Sequence, residues 1–284
     1  MKVERACVVG AGTMGHGIAQ VLARSGIHVC LHDVGEDLVQ AGLKKIEKSL
    51  NTNLERKKIT REELVGTSSR LSGTVNLVEA VRDADFVIEA IIENSEAKND
   101  VFRRLDEICD PRCIFATNTS YLSVTGMASL TGRPDRFVGM HWFNPPQVMR
   151  GIELVRTEMT SKETLDAIIE LCQTIGKEAA VVKDSPGFIA NRLLQAWRNE
   201  SFRLYDENLA SFQDIDRAFK TAYNFRMGPF ELGDIAGLEI VLTGSETMYR
   251  ETGREIFRPA QCVIKRVKAG DYGRKTGRGF YEYK

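Results

Sequence analysis

Histidine, tryptophan and proline are scarce in this chain, with four, two and seven residues respectively among 284. So few histidines leave very few positions for imidazole acid–base chemistry. Net charge is missing too: 39 Lys and Arg balance 39 Asp and Glu. No global field therefore recruits nucleic acid or an anionic membrane, and an anionic ligand must be met by local charge. No apolar run reaches membrane-spanning length, which excludes a helical membrane anchor in the sequence as read. Residues 1–5 lead straight into Ala6-Cys7-Val8-Val9, so no signal or transit peptide is expected. A soluble, cytoplasmic protein is the expectation. The six cysteines lie mostly inside apolar runs, and the only close pair, Cys109 and Cys113, has no second pair or histidine nearby to complete a metal site. Buried thiols in a reducing compartment account for them, and no metal is expected.

What is present is an alternation. Short β-branched runs at 6–9, 29–32, 86–89, 114–117, 137–140, 152–155 and 179–182 are separated by helical patterns. Such alternation predicts a parallel sheet covered by helices on both faces. The charged stretch 36–61, with Lys44, Lys45, Lys48, Arg56, Lys57 and Lys58, reads as a helical excursion out of the sheet. At Asp184-Ser185-Pro186-Gly187 the pattern changes. Serine before proline reads as an N-cap with Pro at the first helical position, so Ser185 is predicted to open a long helix over 188–209. Helices and loops follow to the end. The expected fold is α/β, a Rossmann-type doubly wound, mostly parallel sheet domain over 1–183, followed by a smaller all-α domain over 184–284.

Gly10-Ala11-Gly12-Thr13-Met14-Gly15 fits G-x-G-x-x-G, a weak signal alone. Its context strengthens it: an apolar strand before, a helical run after, and Asp33 at the end of the next strand, about twenty residues on. Gly10 permits the tight turn, Gly12 lets a pyrophosphate approach the backbone, and Gly15 lets helix and strand pack closely. The helix N-terminus then offers N–H groups to phosphate. Asp33 accepts from ribose hydroxyls and repels a 2′-phosphate, while Val34 offers no cation, so NAD is favoured over NADP. The motif by itself also admits FAD.

His16, His28 and His32 all lie near that motif, which leaves His141 as the histidine able to act at a substrate elsewhere. It sits in Met140-His141-Trp142-Phe143-Asn144-Pro145-Pro146, followed by Gly151-Ile152-Glu153. A histidine and a carboxylate on two neighbouring strands make a proton-transfer pair. Thr117-Asn118-Thr119-Ser120 directly follows a strand, where ligands bind in open α/β sheets. Asn191 falls early in the helix at the domain junction. Taken singly, each has a bland alternative: His141 as a satisfied core histidine, Asn118 and Ser120 as caps, Asn191 as a solvated helix position.

Together these motifs resemble the L-3-hydroxyacyl-CoA dehydrogenase family, including its 3-hydroxybutyryl-CoA dehydrogenases, over essentially the whole chain. The carriers are Gly10 through Ala19, Asn118-Thr119-Ser120, His141-Trp142-Phe143-Asn144-Pro145, Asp184 through Arg192, and Gly277-Arg278-Gly279-Phe280-Tyr281. The resemblance implies reversible, NAD-dependent oxidation of an (S)-3-hydroxyacyl-CoA to the 3-ketoacyl-CoA. It implies a general base at His141 backed by Glu153, with Ser120 and Asn191 on the substrate oxygens. It also places Thr13, Met14, Ala90, Glu93, Lys98, Asn118, Ser120 and Asn144 around the cofactor and nicotinamide, beside Gly10, Gly12, Gly15 and Asp33. Ser49 and Arg56 match positions near the CoA moiety, and a homodimer through the helical domain is implied. Phe202, Phe212, Phe219 and Phe230 are candidates for that interface and equally for the core.

Two residues depart from the family's pattern. Tyr121 stands where a small hydroxyl residue is common, and Gly151 where a bulky aliphatic is usual. Both bear on the shape of the acyl pocket and on chain-length preference. The rival readings are a lambda-crystallin or L-gulonate 3-dehydrogenase-like enzyme acting on a free sugar acid, a Lys-based β-hydroxyacid dehydrogenase, and a non-catalytic NAD(H)-binding protein. The basic stretch 36–61, read either as a CoA docking face or as a solvated helix face, separates the first rival from an acyl-CoA enzyme.

Overall fold

The structure is a computed structural model that describes residues 2–283. The chain forms two compact units, one ending at Ser185 and the other beginning at Pro186. The first contains an eight-stranded sheet in the order β3-β2-β1-β4-β5-β6-β7-β8. The strands are β1 Arg5–Val9, β2 His28–His32, β3 Leu71–Thr74, β4 Phe86–Glu89, β5 Ile114–Thr117, β6 Phe137–Trp142, β7 Gly151–Arg156 and β8 Glu178–Lys183. Pairing is parallel throughout except between β6 and β7. The exception has a simple cause: residues 143–150 are too few for a parallel crossover, which needs about a dozen or more. Strand order reverses at β1, with β2 on one side and β4 on the other, and this reversal opens a crevice at the strands' carboxyl ends.

Helices α1 Gly15–Arg24, α2 Glu36–Glu55, α3 Arg61–Ser68, α4 Leu77–Val81, α5 Ser95–Ile108, α6 Val124–Ala128 and α7 Lys162–Thr174 connect these strands. Two expectations are corrected here. The stretch 36–61 is helical, as expected, but it packs back on the sheet: α2 buries Val39, Gly42, Ile46 and Leu50 along one stripe and, with α3, forms the crossover from β2 to the parallel β3. Lys44, Lys45 and Lys48 occupy its exposed side. The strand β3 itself was not expected. Its sequence Leu-Ser-Gly-Thr is only half-buried at the sheet edge and carries no apolar alternation.

The second correction concerns Ser185. It caps no helix; residues 186–189 form a turn in which Gly187 and Phe188 take φ of +70° and +50°, and α8 spans Ala190–Asp206. Phe188 is buried at 3 % exposure, and packing holds a non-glycine residue in a backbone region that propensity disfavours.

The second unit is helical, adding α9 Phe212–Ala222, α10 Pro229–Ala236, α11 Leu238–Thr252 and α12 Gln261–Lys268 to α8. Phe202 and Phe230 are fully buried in its core and pack with Phe280; Phe212 packs on that core, and Phe219 meets Trp197 and Phe225. Two buried aspartates organise the polar groups. Asp216 accepts the N–H groups of Phe230 and Glu231 at the start of α10 (2.9 and 3.0 Å), replacing the side-chain cap that Gly228 cannot supply. Asp234 accepts the N–H groups of Phe280 and Tyr281 (2.9 and 2.8 Å). A Cβ at Gly279 would lie 2.2 Å from the Asp234 carboxylate, which accounts for the glycine in the C-terminal motif.

Candidate active site

The turn between β1 and α1 is held by steric necessity. A Cβ at Gly10 (φ +108°) would lie 2.6 Å from the Ala90 carbonyl oxygen, and one at Gly15 would lie 1.6 Å from that of Gly10. At Gly12 a Cβ would meet nothing within 4 Å. The space above Gly12 is therefore open, as close approach of a pyrophosphate requires. No side chain caps α1 and no acidic residue stands in its first turn, so nothing competes with an anion there. Thr13 is exposed and Met14 half-buried at the same turn. Asp33 follows β2 and bridges to the turn: one carboxylate oxygen accepts from Ala11 N–H (2.8 Å), the other from Val34 N–H (2.7 Å). Val34 and Ile92, beyond the strands on either side of β1, are highly exposed apolar residues. These features fit a dinucleotide with its phosphates on the helix N-terminus.

Three adjacent strands build the other part. In the β6–β7 register His141 lies directly opposite Glu153, and both side chains are buried. Nδ1 of His141 is 2.8 Å from Glu153 Oε2, and Nε2 is 3.1 Å from Ser120 Oγ, which follows β5. A carboxylate can only accept, so Nδ1 carries the proton and Nε2 keeps its lone pair toward Ser120. Asn118 ties the same loop to β6: its Oδ1 accepts the N–H of Trp142 (2.9 Å).

The 118–121 loop is itself anchored. One oxygen of Glu93 accepts from Thr119 Oγ1 (2.6 Å), Ser120 N–H (2.7 Å) and Tyr121 N–H (3.1 Å). Its other oxygen is 3.3 Å from Lys98 Nζ. Burial pushes the Glu93 carboxyl up, but Lys98 and these hydrogen bonds outweigh it and hold the group below the usual carboxylate range. Lys98 is 1 % exposed and also meets Glu89 at 2.6 Å. Glu89, wholly buried at the end of β4, accepts from Thr117 Oγ1 and Ile91 N–H, both at 2.7 Å. Sequence reasoning passed over Glu89. The signal was there in Phe86-Val87-Ile88-Glu89, a lone carboxylate ending a central apolar strand.

The remaining candidates stand on several different elements. Ala90 follows β4 and Asn144 is exposed in the β6–β7 connection. Ser49 is half-buried on α2, and Arg56 is exposed just past its end. Asn191 is the second residue of α8, in the helical unit. Ser120, His141 and Glu153 are thus brought into one hydrogen-bonded chain, while Gly10, Gly12, Gly15 and Asp33 form a second cluster by the switch point.

Backbone anion binding beside a buried imidazole that can take up a proton is the equipment of a Rossmann-type, dinucleotide-dependent dehydrogenase. Comparison with known proteins gives the family. The NAD binding domain of 3-hydroxyacyl-CoA dehydrogenase matches residues 5–185, and the C-terminal domain of the same enzyme matches 187–283. A probable 3-hydroxybutyryl-CoA dehydrogenase of Bacillus subtilis is 42 % identical over 100 % of this chain and 98 % of its own. A mitochondrial hydroxyacyl-coenzyme A dehydrogenase of Sus scrofa is 40 % identical, over 99 % and 92 %. The crystal structure of an (S)-3-hydroxybutyryl-CoA dehydrogenase from Ralstonia eutropha superposes with a TM-score of 0.97 at 39 % identity, covering 100 % of both chains. This chain belongs to the 3-hydroxyacyl-CoA dehydrogenase family, whose members are NAD-dependent oxidoreductases.

Proposed function

We propose that this protein catalyses the reversible oxidation of (S)-3-hydroxyacyl-CoA esters to 3-ketoacyl-CoA, with the four-carbon pair 3-hydroxybutyryl-CoA and acetoacetyl-CoA as its substrates. The observation that carries the proposal is the Glu153–His141–Ser120 chain. His141 Nε2 takes the proton of the 3-hydroxyl group. The imidazolium that forms keeps its Nδ1–H on Glu153, which fixes the ring and stabilises the positive charge. Ser120 donates its hydroxyl to the reacting oxygen, and Asn191 holds the substrate oxygens in register. Bound NAD supplies the hydride acceptor. Gly12 and the N-terminus of α1 hold its pyrophosphate, Asp33 its ribose hydroxyls, and Asn118 and Asn144 line the nicotinamide side.

The exposed lysines of α2, with Ser49 and Arg56, provide the docking face for the phosphates of CoA, which a free sugar acid would leave unused. Turnover with acetoacetyl-CoA and NADH, and none with a free 3-hydroxy acid, is expected; the reverse pattern overturns the substrate assignment in favour of an L-gulonate dehydrogenase-like activity. His141→Gln should lower turnover by about two to four orders of magnitude while NADH affinity stays near wild type. An unchanged rate removes His141 from the mechanism, and NADH binding without turnover in the unmodified protein points to a non-catalytic binding protein.

A homodimer through the helical unit belongs to the same proposal, supported by the exposed Leu193, Tyr223, Phe225 and Ile240. Light scattering coupled to gel filtration tests it. No helix among the described residues is long and apolar enough to cross a membrane. A cytoplasmic location, in keeping with six free and mostly buried thiols, is tested by cell fractionation.

A further inference from the structure

We propose that Glu89 is a positioning residue for proton transfer, acting through Lys98 and Glu93 to set Ser120 against His141; the proposal rests on the reading of Ser120 and His141 above. The path is continuous. Glu89 Oε1 takes the Lys98 ammonium at 2.6 Å, Lys98 meets Glu93 Oε2 at 3.3 Å, and Glu93 Oε1 takes the N–H of Ser120 at 2.7 Å. Ser120 Oγ then stands 3.1 Å from His141 Nε2.

The two carboxylates play unequal parts. Glu89 is wholly buried and is held at both oxygens, by Thr117 Oγ1 on one and by Ile91 N–H and Lys98 on the other. Glu93 is partly solvent-exposed, with a side chain at 37 %, and divides its oxygens between Lys98 and the 119–121 loop. A buried ammonium must stay paired, because an uncompensated interior charge is strongly destabilising. With Glu89 ionised, Lys98 has its nearer partner and leaves Glu93 turned toward the loop. With Glu89 neutral, Lys98 draws on Glu93 alone and pulls it from the loop N–H groups. The loop carrying Ser120 then loses its register, and small misplacements at a reacting centre are costly in rate. A carboxylate with no route to substrate thereby governs the geometry of the hydroxyl that meets it.

The test is a double-mutant cycle with the full chain, NADH and acetoacetyl-CoA. Glu89→Gln keeps the shape and removes the charge; it should lower kcat about ten- to a hundredfold, with KM for NADH changed by no more than about twofold. Ser120→Ala should also be slow, and in its background Glu89→Gln should cost nothing further, since coupled residues are non-additive. Thr117→Val, which removes a hydroxyl from Glu89 and keeps the side-chain volume, should show the same coupling at smaller size and serves if Glu89→Gln fails to fold. Equal factors in both backgrounds overturn the Glu89 proposal alone, leaving the network as fold support. Wild-type turnover of Ser120→Ala overturns the reading of the site, and the Glu89 proposal falls with it.

Discussion

Around β1 the working edge of the sheet is made of backbone; around β6, three positions along the same sheet, it is made of side chains. The glycine turn has its shape because Gly10 and Gly15 leave no room for a Cβ, and Asp33 ties it to β2 through one N–H. The β5–β7 end has its shape because buried donors and acceptors are matched across strands: His141 with Glu153, Ser120 with His141, Glu93 with the loop N–H groups. The first kind of construction is chiefly steric. The second is electrostatic, and a change of one proton or one charge alters it without any clash. A hydride-transfer enzyme needs both, since the cofactor's phosphates keep their charge while the substrate's proton moves.

Substitutions that separate the two constructions follow in order of expected size. Gly15→Ala drives a Cβ to within 1.6 Å of a backbone oxygen and should cost about 4 kcal/mol or more of stability, together with loss of NADH binding. Urea unfolding and NADH fluorescence check both; retained binding would break the steric account of the turn. Glu153→Gln keeps the volume but puts a neutral amide, able to donate to Nδ1 as well as accept from it, where an acceptor-only carboxylate stood, and should lower kcat about a hundred- to ten-thousandfold with NADH binding intact. Rate loss without binding loss is what separates this end from the glycine end.

Asp33→Ala removes an ionised acceptor and should weaken NADH by about ten- to a hundredfold, while NADPH, relieved of repulsion, loses less. Parallel titrations with the two cofactors measure the difference. The smallest effect belongs to His32, a buried histidine at the glycine end whose ring Nδ1 has no hydrogen-bond partner. Burial lowers its pKa from 6.5, only partly opposed by a hydrogen bond with Val75 and by Asp33. The unfolded chain therefore takes up this proton first as pH falls below 6.5, and stability declines from there down to the folded value. His32→Leu should flatten that part of the stability–pH curve, measured by denaturation at a series of pH values, and leave kcat nearly unchanged.

Much of the sheet was legible because most of its strands are buried on both faces and read as short apolar runs, as does the exposed β8 through its Ala-Ala-Val-Val; β4 and β5 span the residues expected, and β1, β2, β6, β7 and β8 differ only at their ends. Where apolar composition falls, legibility falls. The strand β3 is half-exposed and contains Gly73, so nothing in Leu-Ser-Gly-Thr separates it from a loop. Without it, α2 looked like an excursion. Ser185 carries the local chemistry of an N-cap, yet burial of Phe188 and the left-handed Gly187 postpone the helix to Ala190. In both places tertiary packing overrode a local preference.

The sequence by itself determined the glycine turn, the acidic residue that ends the following strand, the alternation that makes a parallel sheet, and the histidine available for chemistry. All of these are local: each depends on spacing along the chain or on what a single backbone position can tolerate. The tertiary structure decided which groups meet. The antiparallel register of β6 and β7 sets His141 opposite Glu153, and a one-residue slip would turn one of the two side chains to the other face of the sheet. The Glu89–Lys98–Glu93 ladder likewise exists only because α5 lays a lysine beneath the ends of β4 and β5. Contacts between residues distant along the chain leave no period in it; they arise when strand order and burial bring charges together and the low dielectric of the interior compels them to pair.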